Sequence, residues 1–369
     1  MSRLPKPPIT PHTSTTLSLD AFVEDRAKIR FAENQEIARA ARALRATLRE
    51  KEGALTDVTN RLALYEQLEH ARLAPPTWLT PGKPRKSHTA IPCLLLTDIH
   101  FDEVIKPEQV DGVNAYNRRI AEGRIRRAFE GAIKLARDYL SGVTYEGFQL
   151  FLGGDLMSGV IHEELRETNE AQVMESVLAL VEPLSAGVKL LADTFGHVHV
   201  AAVTGNHGRN TKKPQAKNRA RGSFDWLTYQ LIGRELRADK RVTMQISEAA
   251  DTHVKVYGVR YALTHGDQFR GGSGISGALA PLLLGVHRKT RRDAASGNPW
   301  DVLVMGHWHQ SYFLKGLIVG GSLVGYSEYA YAQNFPYEEP QAAFWLTTPE
   351  RGIGISAPVF VQDRAAEGW

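Results

Sequence analysis

Eight side chains in this sequence have types and spacings suited to holding metal ions or moving protons: Asp98, His100, Asp155, Asn206, His207, His265, His307 and His309. Asp98 and His100 are two residues apart, as are His307 and His309. In extended chain, side chains at that spacing point to the same side and can converge on one ion. Asp155 follows Gly153 and Gly154, which let the backbone turn sharply and approach a ligand. Asn206 offers a neutral carbonyl oxygen, and the adjacent His207 points elsewhere and can meet a substrate. His265 opens His265-Gly266-Asp267. Singly, each motif has a plain reading: a helix cap at Asp155, an ordinary turn at Asn206, a satisfied histidine elsewhere. Together they carry oxygen and imidazole donors and no thiolate, which suits manganese, iron or zinc in expanded coordination rather than a structural zinc.

The elements that must position these residues are apolar runs. Ile91–Thr97, Phe148–Leu152, Val198–Thr204, Val254–Thr264 and Val302–Met305 each hand over to one motif, and Leu317–Val319 is a sixth run. Amphipathic stretches lie between them at Tyr116–Leu140, Glu163–Ala192 and Phe224–Ala238, the last with Ser223 as N-cap. The alternation predicts an α/β domain, more antiparallel after Val242. Ligands in such sheets bind beyond the carboxyl ends of strands, where all five motifs fall. His197 and His199 share the spacing but open a strand. They are read as ordinary residues, as are His12, His70, His88, His162, His253 and His287.

Upstream, residues 1–16 are Pro- and Thr-rich and read as a disordered lead with no apolar signal segment. Residues 17–73 carry apolar or small side chains at Ile37, Ala41, Leu44, Leu48, Leu55, Val58, Leu62 and Tyr65, interrupted by Lys51, which is a heptad seam. This predicts a long helix, lying on the body or forming a coiled coil with a second subunit or another protein. Residues 74–90 are a Pro-rich basic linker, and 91–369 form the catalytic domain. One cysteine, Cys93, excludes an intrachain disulfide, and no apolar stretch is long enough to span a bilayer. The expected location is the cytoplasm. The formal net charge of +4 points weakly to a polyanionic partner.

Asp98-x-His100, Gly154-Asp155, Gly205-Asn206-His207, His265 and Gly306-x-x-His309 resemble, in order, type and approximate spacing, the calcineurin-like metallophosphoesterase signature. The resemblance covers roughly Ile91 to Thr348. It implies an α/β sandwich, two mixed sheets flanked by helices, with the site along one edge. It also implies two divalent ions, manganese first, with iron, zinc or magnesium also compatible. One would be held by Asp98, His100, Asp155 and His309, the other by Asp155, Asn206, His265 and His307, with Asp155 shared. His207 would act as the acid or phosphate-orienting histidine. The chain departs from the pattern after His207: where many members carry an acidic residue, it has Gly208 and then Arg209.

A basic run, Arg209, Lys212, Lys213, Lys217, Arg219 and Arg221, begins two residues past His207 without an acidic residue among them. It is the expected substrate-binding track, since backbone phosphates dominate nucleic-acid affinity. Two further clusters are Arg288, Lys289, Arg291, Arg292 and Arg118, Arg119, Arg124, Arg126, Arg127, the last read as a solvated helix face. The layout looks like the SbcD-type DNA repair exonucleases and their bacteriophage-encoded relatives, as do Phe269–Ile275 and Gly320–Ser322. Little chain follows His309, so a DNA-capping domain is not expected and single strands are favoured. The leading expectation is a metal-dependent DNA or RNA nuclease. The alternatives are a phosphomonoesterase acting on protein or nucleotides, and a nucleic-acid-binding or assembly protein with a vestigial metal site.

Overall fold

The computed structural model describes residues 19–70, 88–269 and 279–369. The expected lead 1–16, most of the linker 74–90 and most of the glycine-rich stretch Phe269–Ile275 lie outside them. The chain divides into two units, 1–84 and 85–369.

The first unit contributes one helix, α1 (Leu19–His70), of 52 residues. Ile37, Leu44, Leu48, Leu55 and Val58 of its seam are 58–72% exposed. The side chains of Leu62 and Tyr65 lie outside the described ones.

The second unit begins with β1 (His88–Leu96), whose first three residues fall inside the expected linker. There follow α2 (Arg118–Lys134), β2 (Val143–Tyr145), β3 (Phe148–Leu152), α3 (Glu163–Thr168), α4 (Val173–Phe195), β4 (Val198–Ala202) and α5 (Phe224–Leu236). Next come β5 (Val242–Ile246), β6 (Asp251–Val256), β7 (Val259–Thr264), α6 (Leu279–Ala295), β8 (Val302–Met305), β9 (Tyr312–Leu314) and β10 (Leu317–Val319). The chain closes with α7 (Glu328–Ala332), β11 (Gln341–Thr348), β12 (Gly352–Phe360) and α8 (Arg364–Glu367). One sheet has seven strands, ordered β12-β11-β1-β3-β4-β5 with β2 beside β1; the other has five, ordered β6-β7-β8-β10-β9. Two mixed sheets flanked by helices is the expected architecture.

Three layers of core explain why the strands read as continuous apolar runs rather than alternating ones. Leu94 and Leu96 of β1 pack toward α2, α4 and α5 with Phe129, Leu184 and Ile232. Cys93 and Leu95 face the other way and meet Phe151, Tyr261, Val304 and Trp345 between the sheets. Leu303 and Met305 of β8 pack with Leu282 of α6.

The departures from expectation are local. The run Val254–Thr264 is a hairpin, β6 and β7, turning at Tyr257 and Gly258 with Tyr257 at φ 51°. The stretch Glu163–Ala192 breaks into α3 and α4 between Thr168 and Val173. The basic cluster of α2 is only in part a solvated face: Arg119 and Arg126 are exposed, whereas Arg124, fully buried, donates to Glu367 and to the carbonyls of Leu323 and Val324.

Candidate metal centre

β1, β3 and β4 are mutually parallel, and so are β7 and β8. Their carboxyl ends therefore share an edge within each sheet, and every motif follows one of these five strands. Hydrogen bonds sew the turns together across the two sheets. The Asp98 N–H donates to the Gly154 carbonyl (3.1 Å) and the Gly306 N–H to the His265 carbonyl (3.0 Å). The His307 N–H donates to Asp98 Oδ2 at 2.8 Å.

Asp98, His100, Asp155, His307 and His309 all sit at positive φ, between 46° and 69°. Side chains rarely adopt that conformation, and its concentration here marks a backbone held by its surroundings to aim these groups inward.

Three sets of donor atoms gather within 4.8 Å of one another: Asp98, His100 and His309; His100, Asp155 and His207; Asp155, His265 and His307. Asp155 lies between the outer two. Its Oδ2 is 3.0 Å from His265 Nε2 and 4.0 Å from His100 Nε2. Asn206 Oδ1 is 3.0 Å from the same His265 nitrogen. On the far side, His309 Nε2 stands 3.3 Å from Asp98 Oδ1. The site residues that sequence reasoning proposed as ligands are thus brought together, all seven.

The donor set fits divalent cations. Asp98 Oδ1 and His100 Nε2 are buried without a hydrogen-bond partner, and orphaned buried polar atoms are costly unless something else binds them. His265 has its Nδ1 against the Gly153 carbonyl at 2.8 Å, which leaves Nε2 as the ligand atom. Burial opposes charge on Asp155, yet His265 and His207 hold its carboxyl well below the usual range. Burial likewise opposes charge on His265, and the Asp155 carboxylate nonetheless lifts its pKa to about 10. A cation at this place would take over the neutralising role of that imidazole proton.

His207 lies against His100, ring centroids 4.4 Å apart. Its Nδ1 faces the Ser158 carbonyl at 2.8 Å and its backbone N–H donates to Asp155 Oδ1 at 2.7 Å. Burial, aided by His100, pushes its pKa down to about 4, so the ring is neutral at pH 7 until an anion approaches.

Sequence reasoning missed three groups. Asp225, at the start of α5, is fully buried and accepts backbone N–H bonds from Asp155 and Leu156 (3.1 Å each) and from Gly205 (2.8 Å). It also closes the space at Gly208, where a Cβ would stand 2.8 Å from the Asp225 carboxyl. The carboxylate that braces this loop comes from a helix 17 positions downstream of Gly208 rather than from the next residue. No local pattern could have revealed it. Glu103 lies 3.3 Å from His100 Nδ1. His162, read as an ordinary histidine, is exposed, but its ring centroid is 5.7 Å from that of His207.

Of the expected substrate-binding residues, Arg209 is folded back onto the carbonyls of Asn206, Thr211 and Lys212, and Arg219 is clamped in two bonds of 2.8 Å to Asp267. Both brace the loop, because a guanidinium fork satisfies several carbonyls or a carboxylate at once. Lys213 and Lys217 are exposed. Lys212 and Arg221 pair only with the exposed Glu163 and Glu248. Such surface pairs are weak and exchangeable for phosphate. In the second cluster Lys289 and Arg292 both pair with Asp251.

No family model matches the sequence, and no curated protein matches it. Among solved structures, the fold is similar to Vacuolar Protein Sorting 29 from Cryptosporidium parvum, with 13% identity, 73% of this chain and 97% of that chain covered, and a TM-score of 0.32. It is also similar to a dimetal phosphatase from Danio rerio, with 11% identity, 74% and 99% covered, and a TM-score of 0.34. Likenesses this distant carry no chemistry, so the functional reading rests on the side chains described above. No described helix is long and apolar enough to cross a membrane.

Proposed function

We propose that this protein is a two-metal phosphodiester hydrolase, a metal-dependent phosphoesterase whose substrate is DNA or RNA. The observation that carries the reading is Asp155, a buried carboxylate standing between Asp98, His100 and His309 on one side and Asn206, His265 and His307 on the other. Those two sets would hold the ions, with Asp155 shared. Bound there, two divalent cations supply a water acidic enough to attack near neutral pH and the positive charge that a phosphoryl transition state needs. The chain's own residues do the rest. Ser158 fixes the ring of His207, leaving Nε2 free for the leaving oxygen. An anionic substrate raises the proton affinity of that nitrogen, which is what protonating a leaving group requires. Manganese is the first ion to try, since the oxygen- and nitrogen-rich donor set suits it.

Lys212, Lys213, Lys217 and Arg221 support a polyanionic substrate, since they remain on the surface of the loop that starts at His207. The deciding experiment offers single-stranded DNA, duplex DNA and a small aryl phosphate to the protein with Mn²⁺, with and without a chelator. DNA cleavage that is lost in His207→Ala and on chelation is the expected result. Hydrolysis of the aryl phosphate alone would move the protein to the phosphomonoesterase reading. Inactivity on all three would leave only the binding-protein alternative.

We also propose that α1 pairs with a second copy of itself. In a parallel pair the positions flanking the seam place Ala40 opposite Arg45, Thr47 opposite Glu52 and Ala54 opposite Thr59, so the flanks carry no like-charge pair there, and Lys51 is the one seam position that sets like charges against each other. Removing residues 1–84 should therefore take the mass measured by light scattering from that of two full chains to that of one shortened chain. A mass equal to two shortened chains would rule out self-pairing through this helix.

A further inference from the structure

The segment Tyr326–Tyr337 contains five aromatic residues in twelve, against 8% for the chain, and the site described above does not use them. Tyr329, Tyr331, Phe335 and Tyr337 are 69%, 44%, 49% and 46% exposed. The rings are held in a folded stub. Ser327 caps α7, the Phe335 N–H returns to the Ala330 carbonyl, and the Tyr326 hydroxyl donates to the Phe335 carbonyl at 2.7 Å. Tyr329 and Phe335 stand edge to face, centroids 6.0 Å apart.

The stub is built against the metal centre. Gln310, next to the ligand His309, donates to the Pro336 carbonyl at 3.2 Å, and the Ser311 N–H donates to both oxygens of Glu338 (2.8 and 2.9 Å). Glu328 accepts the Lys106 N–H at 2.9 Å. Glu328 and the adjoining Glu338 are thus engaged with backbone, while the rings of Tyr329 and Phe335 stand exposed.

Exposed aliphatic side chains would suit any apolar partner. Exposed rings beside a phosphodiester-cleaving site suit a ligand that has flat π-faces attached to its phosphates. We propose that Tyr329 and Phe335 form a stacking platform for the unpaired bases of a single-stranded nucleic acid whose scissile phosphate lies at the metal centre. A duplex hides its base faces, so the platform selects single strands. Stacking of this kind tolerates any base. The inference rests on the nucleic-acid reading of the site and names the form of the substrate.

The test uses the full chain with Mn²⁺ and three substrates: an oligothymidylate, an abasic oligomer of the same length, and an aryl phosphodiester. Tyr329→Ala and Phe335→Ala should each lower kcat/KM on oligothymidylate by about tenfold, the scale of one lost base stack. Neither should change turnover of the abasic oligomer, which keeps the phosphates and lacks the base faces. Tyr329→Phe, which keeps the ring, should stay near wild type. Equal losses on the abasic oligomer would overturn the proposal, as would unchanged cleavage of oligothymidylate, which would leave the rings to a protein partner. A wild-type protein that cleaves the aryl diester but neither oligomer would defeat the nucleic-acid reading itself, and this inference with it.

Discussion

Exchanging Asp155 for asparagine should abolish hydrolysis, by at least about 10³-fold, while leaving the fold intact. Asparagine is the informative substitution because Asp155 sits at φ 50°, a conformation that asparagine tolerates and alanine does not. Its side-chain oxygen can still accept the His207 N–H, now made by Asp155 Oδ1 at 2.7 Å. What it removes is the negative charge on the oxygen facing His265 and His100. A shared metal ligand contributes several kcal/mol to both sites at once, and each 1.36 kcal/mol is a factor of about ten in rate. The measurement is turnover of an aryl phosphodiester alongside metal content and a thermal melt. Activity within tenfold of wild type, in a protein that binds two ions, would show that Asp155 is not the shared ligand.

Asp225→Ala should be the most destabilising change near the site, lowering unfolding free energy by about 4 kcal/mol. Three buried N–H groups, of Asp155, Leu156 and Gly205, would lose their acceptor. Each such orphan costs about 1–3 kcal/mol. Part of that is offset, because burial and the neighbouring Asp155 push the Asp225 carboxyl up to about 6, so its charge is itself expensive. The loss should appear as a shift in urea midpoint at constant slope. Activity should fall with it, since the same bonds place Asp155. Asp225→Asn, which keeps an acceptor oxygen, should lose less than half as much. A shift under about 1 kcal/mol for the alanine variant would mean that these three bonds do not brace the loops.

The clustered donor side chains were legible because each rests on a short-range fact. A strand of one-sided or two-sided burial announces itself as an apolar run, and the polar residue that ends it has few reasons to be there. Asp98, Asp155 and Asn206 follow β1, β3 and β4, and His265 and His307 follow β7 and β8, as the runs implied. The hairpin of β6 and β7 was illegible because its turn, Tyr257-Gly258, interrupts an otherwise continuous pattern by only two residues. The basic loop was legible only as charge. Charge is visible in sequence, but whether Arg219 faces a phosphate or Asp267, 48 positions away, depends on where the chain returns.

Residue types and their order were sufficient to determine a mixed α/β body, five strand-end motifs and a donor set of nitrogen and oxygen. Tertiary structure alone decided that Asp225 holds the backbone of Asp155, that Arg124 and Arg219 are bonded within the fold, and that four aromatic rings stand exposed in the segment bonded to Gln310. Strand pattern is local, set by side-chain periodicity over a few residues. The bracing contacts join positions separated by 20 to 243 residues, and only the folded chain can say which distant partner a buried charge will find.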